Sequence, residues 1–250
     1  MNAIRTLVSL AFAASAGSAC AAAGTSPHWT YGPHEGPAEW GALSPEFATC
    51  GLGKHQSPID IRDAKAADLP EIGFHYQQAP LAVIDNGHTI QVNYAPGSWI
   101  ELGGVRYELV QFHFHKPSEE KIDGKQHAMV AHLVHKNADG KLAVVAVLLD
   151  GGGANAMIDS IWKNLPKEKQ KEVVVSNVTV DAGTLLPANH GYYTFQGSLT
   201  TPPCSEDVTW LVLKTPLKIT SSEITRFGAI YPMNARPTQA QNDRLIQMTK

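Results

Sequence analysis

A chain of 250 residues is long enough for one large core or at most two domains, and no linker-like tract divides it. The formal net charge of −3 and a pI of about 6.4, with no basic cluster to set against them, exclude nucleic acid as an expected partner. Past the first two dozen residues no apolar run is long enough to cross a bilayer as a helix.

The N-terminus stands apart from the rest. Arg5 precedes the apolar run Leu7 to Ala14, and small residues follow through Ala23; this is the pattern of a secretory signal peptide, assigned to residues 1–22, with residues 23–250 as a single mature domain. Cys20 lies beside the expected cleavage point, where a lipid could be attached, but Gly17 at the minus-three position argues against an anchor. Export to the periplasm or the medium makes a disulfide permissible. With Cys20 removed, Cys50 and Cys204 remain and are expected to pair; closing so long a loop contributes up to about 5 kcal/mol in the chain-entropy account.

From His28 to Gly51 the chain is rich in Trp, Tyr, Gly and Pro without a sustained period, which predicts an irregular arm pinned by its aromatic rings. Gln56 to Ile61 is extended, with Ser57 held out of the helical region by Pro58. Strand candidates then follow in pairs: Leu81 to Ile84 and His88 to Tyr94 around Asp85-Asn86-Gly87, Ser98 to Leu102 and Val105 to His115 around Gly103-Gly104, and Met129 to His135 and Leu142 to Leu149 around Asn137 to Gly140. The last is apolar almost throughout, as a central strand covered on both faces would be. One extended sheet is the expected organiser. Asn155 to Trp162 is a short helix candidate, Lys167 to Lys171 a solvated loop, and Tyr192 to Phe195 and Val208 to Leu213 are further strands. Between those two strands lies the rigid polar loop Ser198 to Cys204. Ser221 or Ser222 is expected to cap a last helix, and Asn234 to Pro237 has no regular pattern.

The chemistry gathers in Gln111-Phe112-His113-Phe114-His115. A strand alternates its faces, so His113 and His115 share one face while Phe112 and Phe114 take the other. A third histidine follows on the next strand, in Ala131-His132-Leu133-Val134-His135, after a turn between Pro117 and Gly124. Two imidazoles from one strand and one from its neighbour can fill three tetrahedral positions around zinc and leave the fourth to water. Histidines of a packed core would also fit, and alternation alone leaves His132 and His135 both open as the third ligand, since they face opposite ways.

Taken together, QFHFH (111–115), PSEE (117–120), AHLVHKN (131–137), QSPIDI (56–61), NGH (86–88), SLTTPPCSE (198–206), VTWLVL (208–213) and NARP (234–237) resemble the alpha-class carbonic anhydrases, in their exported bacterial branch. The resemblance runs in order across nearly the whole mature chain. It implies a mainly β fold, a large central twisted and mostly antiparallel sheet with a few short peripheral helices, and the reversible hydration of carbon dioxide to bicarbonate and a proton through zinc-bound hydroxide. It implies His132 as the third ligand and a structural role for His135. Zinc on three neutral imidazoles brings the pKa of its water to about 7. A weak side activity on esters belongs to the same chemistry.

The remaining roles are carried over by the same matches. Thr200 would accept the proton of the nucleophile and donate to Glu119, aiming the lone pair. His88 would shuttle the proton outward, because its pKa lies near neutrality. Tyr31, Asn86, Gln91 and Thr201 would hold the water network, Gln111 and the Asn234 carbonyl would orient His113 and His115, and Val134, Val144, Leu199, Val208 and Trp210 would line the gas pocket. A homodimer is left open. One departure stands out: two residues before His132, where the family has a glutamate, this chain has Val130. No carboxylate on the strand then stands ready to orient His132, which predicts weaker or faster-exchanging zinc by about 10 to 100-fold; whether water or another side chain takes its place is left open by the sequence.

Overall fold

The computed structural model describes residues 27–250; the signal segment assigned to residues 1–22, and Cys20 with it, lies outside the described residues. Eight strands organise the molecule: β1 (Ala79–Asp85), β2 (Ile90–Asn93), β3 (Val105–His115), β4 (Met129–Lys136), β5 (Leu142–Gly151), β6 (Val173–Val180), β7 (Tyr192–Gly197) and β8 (Val208–Leu213). Across the sheet they run β6-β1-β2-β3-β4-β5-β8-β7, continued past β7 by Gln247–Thr249 and then Lys65–Ala67. Neighbours are antiparallel except β5 with β8 and the two outermost segments, which pair in parallel. The fold is mainly β, as expected, and the sheet is mixed.

Local chemistry accounts for the elements. Gly103 and Gly104 adopt φ of 57° and 79°, a left-handed turn that costs glycine least, and they fold Trp99–Leu102 back onto β3. Helix α1 (Ala156–Lys163) starts where the Asn155 side chain accepts from the Met157 and Ile158 amides. Helix α2 (Ser221–Ile230) is capped by Thr220 in a capping box with Glu223, not by Ser221 or Ser222 as expected; the pair Thr220-x-x-Glu223 satisfies two helix-end amides at once. Strand β6 was not anticipated. Its residues are mostly exposed and its register slips between Val175 and Thr179, so it shows no clean alternation.

The sheet has two unlike faces. Phe112, Phe114, Ala131, Leu133, Val145 and Val147 point to one, where Ile158, Ile161 and Trp162 of α1 and Phe227 of α2 close over them. Val130, Val144, Ala146, Leu148, Trp210 and Val212 belong to the second apolar cluster, and that face also carries the histidines.

The segment from His28 to Gly51 is pinned by rings as expected: Trp29, Tyr31 and Trp40 meet edge to face at 5.1 to 5.7 Å. It is less irregular than expected, since Trp40–Leu43 and Thr49–Leu52 are single helical turns flanking a 3-10 turn. Cys50 and Cys204 are joined, with S–S 2.08 Å, tying this segment to the loop between β7 and β8. Buried Arg236 adds a second tie, its guanidinium donating to Gln56 Oε1, Ser57 O and Cys50 O.

Candidate metal centre

The register places the histidines side by side. His113 on β3 stands opposite His132 on β4, His115 stands opposite Val130, and Gln91 on β2 stands opposite His113. Ligand atoms of His113, His115 and His132 all lie within 4.8 Å of one another. His135 falls on the opposite face by alternation; past a register shift between Val134 and His135 it lies opposite Leu109, and its Nε2 is 2.8 Å from the Tyr76 hydroxyl. The choice between His132 and His135 is thereby made by geometry: His132 joins the cluster.

Each imidazole of the cluster is held by its outer nitrogen. His113 Nδ1 donates to Gln111 Oε1 at 2.8 Å. His115 Nδ1 donates to the Asn234 carbonyl at 2.7 Å. His132 Nε2 lies 3.0 and 3.3 Å from the two carboxylate oxygens of Glu120. With those nitrogens protonated, the lone pairs of His113 Nε2, His115 Nε2 and His132 Nδ1 are left for the cluster's interior. His115 Nε2 is buried and has no hydrogen-bond partner. An orphaned lone pair among three convergent imidazoles suits a zinc ion, whose preferred donors these are.

Electrostatics favour neutral ligands at two positions. Burial lowers His113 to about 3 and, with the neighbouring imidazoles, pushes His115 well below its ordinary value. For His132 burial acts the same way but is outweighed by Glu120 and Glu119, which raise it. Glu119 is pushed up to about 7 by burial; His132 lowers it, Glu120 raises it, and the Arg236 amide and Thr200 hydroxyl lower it. Glu119 Oε1 accepts from the Arg236 N–H at 2.7 Å. Its Oε2 has no hydrogen-bond partner, although the Thr200 hydroxyl is close enough to favour the ionised form.

Glu120 corrects the reading of Val130. Val130 is fully buried among Val144, Ala146 and Leu148 and offers His132 nothing polar, but a carboxylate reaches the imidazole from elsewhere. Glu120 lies in the loop after β3, which is anchored by Ser118: its amide donates to the His127 carbonyl, and its hydroxyl donates to the Glu120 carbonyl and accepts from the His127 amide. The expectation of weakened zinc rested on a missing carboxylate, and that premise fails.

The other sequence-derived residues gather around the cluster. A cavity of about 120 Å³ is lined by His113, His115, Gln111, Gln91, Thr201, Asn86, Tyr31, His88 and Trp29. His88 sits at its outer side, half-buried, with its ring stacked on Trp29 at 3.6 Å and 7°; burial, with His28 and Lys169, lowers its pKa. Asn86 Oδ1 accepts from the His88 and Thr89 amides, and Asn86 Nδ2 donates to Gln91 Oε1. Asn234 connects this loop to the cluster, because its Nδ2 donates to the His88 carbonyl while its own carbonyl accepts from His115. Val134, Val144, Leu199, Val208 and Trp210 fall in one apolar cluster beside His132, whose ring lies edge-on to Trp210 at 4.9 Å. A larger hollow of about 500 Å³, bounded by Asp68, His190, Tyr192 and Lys250, contains none of these groups.

Sequence reasoning missed three participants. Glu120 and Arg236 lie inside the quoted segments PSEE and NARP, but nothing local says which acid turns inward or that an arginine in an irregular tail would be buried. Trp29 was read only as an anchor of its arm.

A family model described as eukaryotic-type carbonic anhydrase matches residues 35–250. Carbonic anhydrase from Nostoc sp. is 42% identical over 224 residues, 88% of this chain and 85% of the relative. Carbonic anhydrase from Neisseria gonorrhoeae is 44% identical over 248 residues, covering 98% of this chain and 95% of the relative. Among solved structures, the alpha-carbonic anhydrase from Thermovibrio ammonificans in complex with the inhibitor sulfanilamide superposes with a TM-score of 0.86 at 38% identity, over 89% of this chain and all of that one.

Proposed function

The chain belongs to the alpha-class carbonic anhydrases and is an enzyme, a lyase of that family; from that premise we propose that it hydrates carbon dioxide reversibly to bicarbonate and a proton at a zinc ion held by His113, His115 and His132. Zinc, when bound, supplies the Lewis acidity that makes water a nucleophile near neutral pH. The protein's own residues do the rest. Gln111, Asn234 and Glu120 hold the three imidazoles in the tautomers that leave their lone pairs inward.

Thr200 and Glu119 aim the attacking oxygen, with Glu119 fixed by the Arg236 amide. The apolar wall of Val134, Val144, Leu199, Val208 and Trp210 takes the gas and keeps water from competing for it. His88, at the outer side of the cavity shared with His113 and His115, carries the proton to buffer, and Tyr31, Asn86, Gln91 and Thr201 order the water between.

The observation that carries this reading is the convergence of three imidazoles, His115 and His132 buried and His113 half-buried, each oriented by its outer nitrogen, beside that apolar wall. A primary aromatic sulfonamide should inhibit, as in the sulfanilamide complex of the Thermovibrio relative. Residues 1–22 act as an export signal and residues 23–250 as one catalytic domain working in the periplasm or outside the cell. The disulfide supports an oxidising compartment, and among the described residues no helix is long and apolar enough to cross a membrane.

Stopped-flow hydration of carbon dioxide with a zinc assay on the same sample tests the reading. Hydration should vanish on chelation and return with one zinc per chain. A folded protein holding stoichiometric zinc without hydration would overturn it.

A further inference from the structure

We propose that Glu120 is the positioning residue of His132, and that the loop after β3 rather than β4 supplies the carboxylate that sets this ligand's tautomer and orientation. The inference rests on the zinc reading above and deepens it. Glu120 is fully buried, and both of its carboxylate oxygens lie within 3.3 Å of His132 Nε2. No other side chain is hydrogen-bonded to that carboxylate among the described residues, so its one visible task is to hold the imidazole. A buried carboxylate left without such a partner would be strongly disfavoured.

The alternative position is occupied by an apolar group. Val130 shares the face of β4 with His132, lies opposite His115, and packs in the apolar cluster with Val144, Ala146 and Leu148. The strand itself therefore gives His132 Nε2 no acceptor. A proton on Nε2 is required for the lone pair to sit on Nδ1, the atom that faces Glu119 and the cluster. Adjacent acids thus divide the work: Glu119 lies on the Nδ1 side of His132, 3.8 Å away, and Glu120 on the Nε2 side.

Loop anchoring is the second half of the argument. A carboxylate on a mobile loop would orient nothing, because holding the imidazole requires a fixed acceptor. Ser118, itself fully buried, binds the backbone of Glu120 and of His127, and the following residue, Lys121, pairs with Asp60 in a short parallel ladder. The backbone that follows its Cα is thereby held twice, at the Glu120 carbonyl and at Lys121.

The test uses the purified full-length protein and its E120Q variant, which keeps the side chain's size and removes its charge. Zinc loss to excess chelator is followed with a colorimetric zinc indicator. E120Q should lose zinc roughly 10 to 100 times faster than the parent, with an unchanged near-ultraviolet dichroism spectrum. In metal-free protein the His132 Nε2 proton should give a downfield nitrogen-correlated resonance in the parent and lose it in E120Q.

The double variant E120Q/V130E, which returns an acid to the strand face of His132, should recover most of the lost retention; recovery excludes a merely structural effect of Glu120. Equal zinc loss in parent and E120Q, together with an unchanged His132 resonance, would overturn the assignment while leaving the zinc reading intact. A parent that binds no zinc would overturn the zinc reading, and the metal-free resonance would still decide whether Glu120 holds His132.

Discussion

The two faces of β3 and β4 share one backbone and differ in every demand placed on their side chains. Phe112, Phe114, Ala131 and Leu133 need only shape and burial, and several residues of similar volume could replace each other there. His113, His115 and His132 need orientation as well, and each depends on a specific partner from elsewhere: Gln111 on the same strand, Asn234 in the C-terminal tail, Glu120 in the following loop. The core face is a packing problem solved within the sheet. The metal face is an orientation problem solved by segments far apart in sequence, and so the arm, the disulfide and the irregular tail converge on that side.

Substitutions that separate the faces give the largest effects. H113A should remove stoichiometric zinc and all chelator-sensitive hydration while leaving the metal-free protein's melting temperature within a few degrees of the parent's; retained one-to-one zinc would break the contrast. F114A, whose ring meets Trp162 and Phe227, should cost about 3–5 kcal/mol in denaturant unfolding, yet zinc content of the folded fraction should stay at one per chain.

A smaller effect sharpens the contrast at the cavity's rim. H88A should lower turnover in dilute buffer while sparing the carbon dioxide step, and added imidazole should restore it. Because burial, His28 and Lys169 lower the pKa of His88, the acid limb attributable to this group should lie below its ordinary value of about 6.5. Equal losses in both steps would remove His88 from proton transfer.

At neutral pH the smallest change belongs to the core-side histidine, whose effect emerges only on acidification. His135 is lowered to about 3 by burial, so between about pH 6.5 and 3 the unfolded chain binds a proton there that the folded chain does not. Stability from this group is complete above about 6.5 and falls as pH drops through that window, by at most about 1.4 kcal/mol per pH unit. Urea midpoints of metal-free parent and H135Q, measured from pH 7 to 4, should converge on acidification; parallel curves would deny the shift.

Much of this division was legible in five residues. Period-two alternation in Gln111 to His115 separates phenyl from imidazole before any fold is known, and the turns before and after β3 are signalled by Gly103-Gly104 and by the stretch from Pro117 to Gly124. The choice of His132 over His135 was not legible from alternation, because the two face opposite ways and only the pairing of β4 with β3, which sets His132 opposite His113, shows which face meets the other imidazoles. Glu120 was hidden for a related reason: its reach to His132 depends on a loop path set by Ser118 and His127, whereas position 130 could be judged from the strand alone. Val130 gives His132 no acceptor on the strand, and the carboxylate beside its Nε2 comes from Glu120 in the loop. Arg236 was hidden by its surroundings, since the assembled carbonyls of Cys50, Gln56 and Ser57 make a buried guanidinium tenable there. The cap at Thr220 could have been read from Thr220-x-x-Glu223, a pattern that outranks an isolated serine.

The most direct measurement is anomalous diffraction at the zinc edge from crystals of the zinc-loaded protein. A single strong peak within bonding distance of His113 Nε2, His115 Nε2 and His132 Nδ1, with no fourth protein ligand, is the predicted result. A peak placed elsewhere, or a fourth protein group completing the shell, would contradict the account.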